Sequence, residues 1–213
     1  MKAITRDRYG SPDVLKLKDI DKPVIGDDDV LVRIRAASTN PYDWHFMRGK
    51  PYFMRLMSGL LKPKGNGLGA DLAGQVEAVG KNVTRFRPGD EVYGEVDGGV
   101  PGKHELEIAS FAEYVRVSED SVVPKPTNLT YEQAAAVPMA GLTALCALCD
   151  YKQIEHGRKV LVNGASGGVG TFAVQIAKAL GAEVTGVCSS RNVDMVESIG
   201  ADHVIDYTRE DFS

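Results

Sequence analysis

A glycine-rich turn links a predicted strand to a predicted helix at residues 160–180. The run 160–162 is apolar and rich in β-branched residues, the turn up to Gly170 is built from small residues, and apolar residues then recur at helical spacing. A helix start exposes unpaired N–H groups and the positive end of a dipole, and glycines let an anion approach the backbone closely. The stretch therefore predicts a pyrophosphate site. Its expected lining residues are Ser166, Gly167, Gly168 and Val169.

The chain after this turn helps to distinguish a binding site from a simple connection. Ala165 stands where dinucleotide-binding turns of the Gly-x-Gly-x-x-Gly type have their first glycine, and it fits such a turn if its φ is negative. A glycine-rich turn alone can also be just a tight connection. Here two more strands and a helix are predicted, at 183–187, 203–206 and 192–199. The alternation implies a parallel sheet with right-handed crossovers and favours a dinucleotide site.

The first part of the chain is predicted to be mainly β-strand. Short apolar or alternating runs, bounded by Gly, Pro and Asp turns, indicate strands at residues 1–6, 15–19, 30–37, 69–80, 91–94, 111–117 and 122–124. The glycine spacing in 69–80 is typical of a bulged strand. A capping box at Thr130 predicts a helix that Pro138 should interrupt, followed by a second helix over 140–151. We place the domain boundary at 125/126, which gives domains of residues 1–125 and 126–213.

Composition excludes several classes of partner. The 213 residues carry 25 basic and 29 acidic side chains, a formal charge of −4, so no nucleic-acid partner is expected. No apolar run is long enough to span a membrane, and the first residues lack the apolar core of a signal peptide, so no membrane partner is expected. Three cysteines give no disulfide framework. These features together predict a cytoplasmic protein.

Several motifs in a fixed order resemble one family. They are residues 40–43 (Asn-Pro-Tyr-Asp), 69–74, 79–80, 88–92, 134–143, 160–170 and 200–206. In this order they resemble the medium-chain dehydrogenase/reductase superfamily, on its zinc-free quinone oxidoreductase (zeta-crystallin-like) branch. The resemblance implies an α/β plus β fold, with a GroES-like β-barrel catalytic domain followed by a Rossmann domain of the doubly wound parallel type. Members of this family continue beyond the position of residue 213, so we expect this chain to be a fragment with a partial Rossmann domain.

The end of the second predicted strand bears on the choice of cofactor. NAD-binding proteins place Asp or Glu about 20 residues beyond the turn, whereas residues 187–192 contain no acid. Serine hydroxyls and a guanidinium suit the 2′-phosphate of NADP(H), which predicts contacts from Ser189, Ser190 and Arg191. The alternative is a solvated loop whose arginine faces water. By resemblance, Tyr207 and Thr143 also lie near the cofactor. The alternative for Tyr207 is an ordinary strand-end tyrosine, and a helical threonine bonded to its own backbone explains Thr143 equally well.

The resemblance also predicts that no metal is bound. The zinc ligands of zinc-dependent relatives correspond to Asn40, Ala70 and about Ala140, of which alanine cannot ligate zinc and asparagine is a poor ligand. The four-cysteine lobe is missing as well, because residues 91–115 contain no cysteine. Cys146 and Cys149 form a Cys-x-x-Cys pair inside an apolar helix, where packing is the expected role.

Two residues are predicted to be catalytic by resemblance. Asn40 and Asp43 would lie at the base of the cleft near the nicotinamide, where Asn40 could orient the ribose or the acceptor carbonyl. The alternative is that both residues cap the loop and the helix that follows. The apolar segment 52–61 either forms a wall of the acceptor pocket or belongs to a helical core, and the core interpretation is slightly favoured.

The combined interpretation is an NADPH-dependent, zinc-independent oxidoreductase that transfers hydride to quinones or α,β-unsaturated carbonyls between its two domains. Without a metal there is no Lewis acid to polarise an alcohol or a ketone, which favours acceptors that take hydride readily. Alternatives are a carbonyl or alcohol dehydrogenase-like reductase, a non-catalytic NADPH-binding (crystallin-like) protein, and an isolated GroES-like interaction module. By resemblance, a homodimer is possible.

Overall fold

The computed structural model describes residues 1–96, 109–150 and 154–211. The glycine-rich stretch 94–102, for which the sequence predicts a loop, therefore lies largely outside the described residues. The chain divides into two compact units, Met1–Met139 and Ala140–Ser213. By packing, the first unit extends past the predicted boundary at 125/126, because Ala134 and Ala135 are buried against Ala73. The assignment of domains at 125/126 stays a prediction.

The first unit is built on a five-stranded antiparallel sheet in the order β6-β3-β4-β5-β7. Its strands are β3 (Asp29–Ala37), β4 (Asp71–Val79), β5 (Glu91–Glu95), β6 (Tyr114–Ser118) and β7 (Val122–Pro124). A separate antiparallel pair joins β1 (Lys2–Arg6) to β2 (Leu15–Asp19). The predicted strand segments are confirmed, apart from shifts of a few residues at their ends.

The core of this sheet follows from its apolar pattern. Val30, Val32, Leu72, Val92 and Val115 are fully buried together on one face. The predicted irregularity is confirmed by two register shifts between β3 and β4. Gly74 pairs with Ile34 beside one of these shifts. A Cβ at Gly74 would lie 2.3 Å from the carbonyl oxygen of Arg33. Only glycine allows the two strands to approach this closely.

Among its described residues, the first unit contains three complete α-helices. They are α1 (Pro41–Arg48), α2 (Arg55–Ser58) and α3 (Tyr131–Ala135). The capping box is confirmed at α3, where the Thr130 hydroxyl accepts the N–H of Gln133 and the Gln133 side chain accepts the N–H of Thr130. Pro138 begins the next helix, α4 (Pro138–Leu145), so the predicted interruption is also confirmed.

The second unit alternates strands and helices. Its parallel sheet has the order β10-β9-β8, formed by β8 (Lys159–Asn163), β9 (Glu183–Cys188) and β10 (His203–Asp206), with α5 (Gly168–Ala179) and α6 (Val193–Ser198) between them. α5 buries Ala173, Val174 and Ala177, a spacing that places them on one helix face. The predicted strand–helix alternation and parallel pairing are therefore confirmed.

The structure differs from the predictions in two segments. The helix over 140–151 becomes a π-helix at Cys146–Asp150, and residue 151 lies outside the described residues. The helical-core interpretation of 52–61 is wrong, because Tyr52, Phe53 and Leu56 are 66%, 68% and 74% exposed. This short segment forms one turn of 3-10 helix and one turn of α-helix and cannot bury its apolar side chains. In the described ranges, no helix is long and apolar enough to cross a membrane.

Candidate functional site

The turn between β8 and α5 is fastened to the neighbouring strand. Gly164 has a φ of +77°, a conformation that suits glycine. The N–H groups of Gly164 and Ala165 both donate to the carbonyl of Val187 in β9, at 3.1 and 3.0 Å. Ala165 is fully buried. The positive φ of the turn therefore falls at Gly164, so Ala165 can replace a glycine at the next position.

The glycines of this turn have different surroundings. A Cβ at Gly170 would lie 2.1 Å from the carbonyl oxygen of Gly164, so this glycine is needed for packing of helix against strand. A Cβ at Gly168 would have only a methyl group at 3.9 Å, and one at Gly167 would lie 3.3 Å from the Gly164 oxygen. Packing alone thus does not require Gly168. The space beside the first turn of α5 fits a pyrophosphate.

The predicted 2′-phosphate contacts lie at the carboxyl end of β9, but they are not equivalent. Ser190 donates its hydroxyl proton to Asp206 at 2.5 Å. Ser189 accepts a hydrogen bond from the side chain of Asn192 at 3.2 Å. Arg191 is exposed, and within the described ranges it forms no ion pair. Ser189 and Arg191 are thus available to an anion, whereas the hydroxyl proton of Ser190 is committed to the protein.

An acid approaches this region from the neighbouring strand β10, outside the window 187–192 used to predict the cofactor. Asp206, at the end of β10, accepts hydrogen bonds from the hydroxyls of Ser190 and Thr208 and from the Thr208 N–H. The hydrogen bond from Ser190, followed by that from Thr208, lowers the pKa of Asp206. The residues 187–192 contain no acid, but parallel pairing of β9 with β10 supplies one. A charged carboxylate therefore lies next to Ser190.

Two residues predicted by resemblance also lie in the second unit. Tyr207 follows β10, is 56% exposed, and donates its N–H to the carbonyl of Cys188. Thr143 is exposed on α4, about one turn beyond Ala140. Ala140 is the residue closest to a Cβ placed at Gly168. Both positions are compatible with a cofactor at the turn, and their roles stay predictions.

In the first unit, Asp43 has a structural role at the start of α1. Its carboxylate accepts the N–H of Asn40 at 2.7 Å and the N–H of Gly69 at 3.1 Å. Burial raises the pKa of Asp43, while these backbone hydrogen bonds oppose the rise. The contacts show the capping that the sequence analysis kept as an alternative, and a catalytic role for Asp43 stays a prediction.

Asp71 is the polar residue that the sequence argument missed. It is completely buried and accepts hydrogen bonds from the Ser38 hydroxyl at 2.8 Å, the Asn40 amide at 3.0 Å and the Met139 N–H at 3.1 Å. Burial is the largest cause of its raised pKa. A carboxylate between Ala70 and Leu72 in an apolar strand was the available signal, because a buried acid needs partners. Asp71 fixes the orientation of the Asn40 amide.

The resemblance matches Asn40, Ala70 and about Ala140 to the zinc ligands of relatives, and this match stays a prediction. Ala70 and Ala140 are buried, and the amide nitrogen of Asn40 is bonded to Asp71. Across the described ranges, no group of three His, Cys, Asp or Glu side chains could hold a metal ion. The Cys146 thiol interacts with Asp150, which raises its pKa, and Cys149 packs against the core of the second unit.

These features define a class of protein, which comparison with known families makes explicit. Residues 26–127 match the family described as "Alcohol dehydrogenase GroES-like domain" and residues 168–213 match "Zinc-binding dehydrogenase". The chain has a GroES-like domain followed by a Rossmann-like domain. It belongs to the medium-chain dehydrogenase/reductase superfamily and is quinone-oxidoreductase-like.

Individual relatives agree with this assignment. The chain is 38% identical to 2-methylene-furan-3-one reductase of Solanum lycopersicum, over 100% of its own length and 53% of that protein. It is similar to a quinone oxidoreductase structure from Coxiella burnetii (37% identity, TM-score 0.87, 100% of this chain and 64% of that one). It is also similar to Escherichia coli quinone oxidoreductase complexed with NADPH (27% identity, TM-score 0.83, 99% and 60%). The chain therefore spans about half to two thirds of the length of these proteins.

Proposed function

We propose that this chain belongs to an NADPH-dependent oxidoreductase that works without zinc and delivers hydride to quinones or α,β-unsaturated carbonyls. The observation that carries the proposal is the β8–α5 turn, where Gly168 leaves room beside a helix start although packing does not require a glycine there. The names of the relatives, a furanone reductase and quinone oxidoreductases, support the same chemistry. The cytoplasmic location and a homodimer stay predictions.

The residues of the second unit would bind the cofactor through its phosphates. The first N–H groups of α5 and the Ser166 hydroxyl would bind the pyrophosphate in the space beside Gly168. Ser189 and Arg191 would hold the 2′-phosphate, because an exposed guanidinium without an ion pair can form a charge-assisted hydrogen bond to it. When bound, the nicotinamide supplies the hydride.

A second candidate for the cofactor, NAD(H), is favoured by Asp206. A charged carboxylate next to Ser190 would repel a 2′-phosphate and could accept a ribose hydroxyl. Three protein donors already bind this carboxylate, which partly compensates its charge. We therefore keep NADP(H) as the proposal and NAD(H) as its competitor. Dissociation constants for NADPH and NADH distinguish the two.

The residues of the first unit would serve the acceptor. The Asn40 amide nitrogen donates to Asp71 at 3.0 Å and to the Ser38 hydroxyl at 3.2 Å, which holds the amide in one orientation. Its carbonyl oxygen can then accept a ribose hydroxyl. The exposed side chains of Tyr52, Phe53 and Leu56 would provide an apolar wall for the acceptor. Of the two interpretations of segment 52–61, the acceptor wall is the one that agrees with the exposure of these side chains.

Turnover of NADPH with three acceptors tests the proposal. We expect oxidation of NADPH with a quinone and with an enone, and at least tenfold slower oxidation with a simple ketone. Metal analysis of the same sample should show no stoichiometric zinc. Faster reduction of the ketone would favour the carbonyl reductase alternative, and NADPH binding without any turnover would favour the non-catalytic one. Stoichiometric zinc would contradict the metal-free chemistry.

A further inference from the structure

Asn192 occupies the N-cap position of α6, yet its side chain does not cap the helix. Asparagine at this position usually accepts an N–H of the first helical turn. Here its amide nitrogen donates to the Ser166 hydroxyl at 3.2 Å and to the Ser189 hydroxyl at 3.2 Å. One side chain therefore connects the two turns that follow β8 and β9.

These two hydrogen bonds determine which hydroxyl hydrogens of Ser166 and Ser189 remain available for donation. Each hydroxyl has one hydrogen and two lone pairs, and the amide of Asn192 occupies one lone pair of each. Among the described residues, neither hydroxyl donates to a protein acceptor. Both hydroxyl hydrogens remain available to an anion. Ser190 differs, since its hydrogen is donated to Asp206.

We propose that Asn192 is a positioning residue for cofactor specificity. By donating to Ser166 and Ser189, it keeps both hydroxyls as hydrogen-bond donors to the phosphates, Ser166 toward the pyrophosphate and Ser189 toward the 2′-phosphate of NADP(H). This inference rests on the proposed function. An aspartate at this position would do the opposite, because its carboxylate would accept the two hydroxyl hydrogens and add a negative charge.

The test compares two probes that differ only in the 2′-phosphate, 2′-phospho-ADP-ribose and ADP-ribose. Dissociation constants of the 213-residue chain are measured by calorimetry for the wild type, Asn192→Asp and Asn192→Ala. We expect the preference for the phosphorylated probe to fall at least tenfold in Asn192→Asp, about one charge-assisted hydrogen bond. Asn192→Ala should reduce it less, since no charge is added. Melting temperatures are recorded for each variant.

A double-mutant cycle separates positioning from general structural damage. If Asn192 acts through Ser189, adding Asn192→Ala to Ser189→Ala should not lower the preference further. Additive losses would overturn the mechanism. Asn128→Asp is the matched control, because Asn128 is an exposed asparagine of the first unit and the substitution adds the same charge. This control should leave the preference unchanged, and an equal loss there would also overturn the inference.

The remaining outcomes distinguish this inference from the proposed function. A wild type that binds both probes equally would refute the NADP(H) proposal and the inference together. A wild type that prefers the phosphorylated probe, with the preference kept in Asn192→Asp and Asn192→Ala, would refute the inference alone. If Asn192→Asp does not fold, Asn192→Ala and the double-mutant cycle decide.

Discussion

Three buried carboxylates show how the surroundings of a residue set its role. Asp43 accepts hydrogen bonds from backbone N–H groups. Asp71 accepts hydrogen bonds from two side chains and one N–H. Burial raises the pKa of both carboxylates. Asp206 accepts two hydroxyls and an N–H, which lower its pKa. The first two carboxylates hold loop and helix ends in place. Asp206 instead keeps its charge beside the candidate cofactor site.

Arg191 gives the most direct residue-level test of the 2′-phosphate contact. Changing Arg191→Glu should weaken NADPH binding at least tenfold and NADH binding little, because the new charge would lie beside the 2′-phosphate, which only NADPH carries. The measurement is fluorescence titration of both cofactors. Arg209→Glu, which makes the same charge change after β10, serves as a comparison for unspecific repulsion. Equal weakening of NADPH and NADH by Arg191→Glu would contradict the assignment.

Asp71 gives a prediction about stability and pH. Asp71→Asn should lower the free energy of unfolding by about 1–3 kcal/mol, because an amide cannot accept all three donors. The pKa of Asp71 is raised above 3.8 in the folded chain, so the folded state keeps its proton to higher pH than the unfolded state. The stabilisation that comes from the raised pKa is therefore complete below pH 3.8 and is lost as the pH rises through the folded-state pKa, while the contribution of the hydrogen bonds remains.

Denaturant unfolding of wild type and Asp71→Asn across this pH range checks the sign. The advantage of the wild type should shrink as the pH rises from below 3.8 and then become constant. Other titrating groups cancel in the difference as long as they are unaffected by the substitution. An advantage that grows with pH would show that the carboxylate is stabilised rather than penalised by its surroundings.

At the scale of elements, the β8–α5 turn shows what local sequence can predict. Strand, turn and helix were predicted from period and glycine content, because both are local signals. The approach of Asp206 was not predicted, since it depends on the pairing of β10 with β9. The link from Asn192 to Ser166 likewise joins residues 26 positions apart. Contacts between turns of neighbouring strands are set by the sheet, which the sequence pattern does not specify at atomic detail.

Two glycines in the first turn of α5, Gly168 and Gly170, should respond differently to alanine. Gly170→Ala should lower the free energy of unfolding by about 1–3 kcal/mol, because the new Cβ would lie 2.1 Å from the Gly164 oxygen. Gly168→Ala should not destabilise the chain but should weaken NADPH binding at least tenfold by filling the space proposed for the phosphates. Thermal melts and NADPH titrations measure both effects. Unchanged NADPH affinity in Gly168→Ala would place the phosphates elsewhere.

The helical-core interpretation of segment 52–61 is wrong for a physical reason. Its apolar composition favoured a core helix, but one 3-10 turn and one α-turn are too short to bury all of these side chains. The segment is instead held through its polar atoms, with Arg55 donating to the Gly49 carbonyl at 3.0 Å and the Tyr9 hydroxyl donating to the Gly59 carbonyl at 2.7 Å. The exposed side chains of Phe53 and Leu56 can contact a ligand.

Replacing two of these side chains tests the acceptor wall. The double variant Phe53→Ser, Leu56→Ser should lower kcat/KM about tenfold for a quinone with an alkyl chain and much less for unsubstituted benzoquinone. The melting temperature should hardly change, since both side chains are exposed. Leu17→Ser, at a side chain 66% exposed on β2, is the matched control. Equal rates for wild type and double variant with both quinones would remove the segment from the acceptor site.

At the scale of the molecule, the sequence predicts the order of the two units but only part of the contacts that set the roles of their residues. The succession of a β-rich unit and an alternating strand–helix unit follows from the change of apolar period near residue 130. The family assignment rests on motifs spread over most of the chain. The placement of Asn40 beside a nicotinamide depends on how residues far apart in sequence come together, and it stays a prediction. The buried partner of Asn40, Asp71, needed the structure.

One measurement tests the central claim most directly. Calorimetric titration of the 213-residue chain with NADPH and with NADH measures the stoichiometry and both dissociation constants in the same buffer. The account predicts one NADPH per chain and a dissociation constant at least tenfold lower than that for NADH, the contribution of about one charge-assisted hydrogen bond. Equal affinities, tighter binding of NADH, or no binding of either cofactor would contradict it.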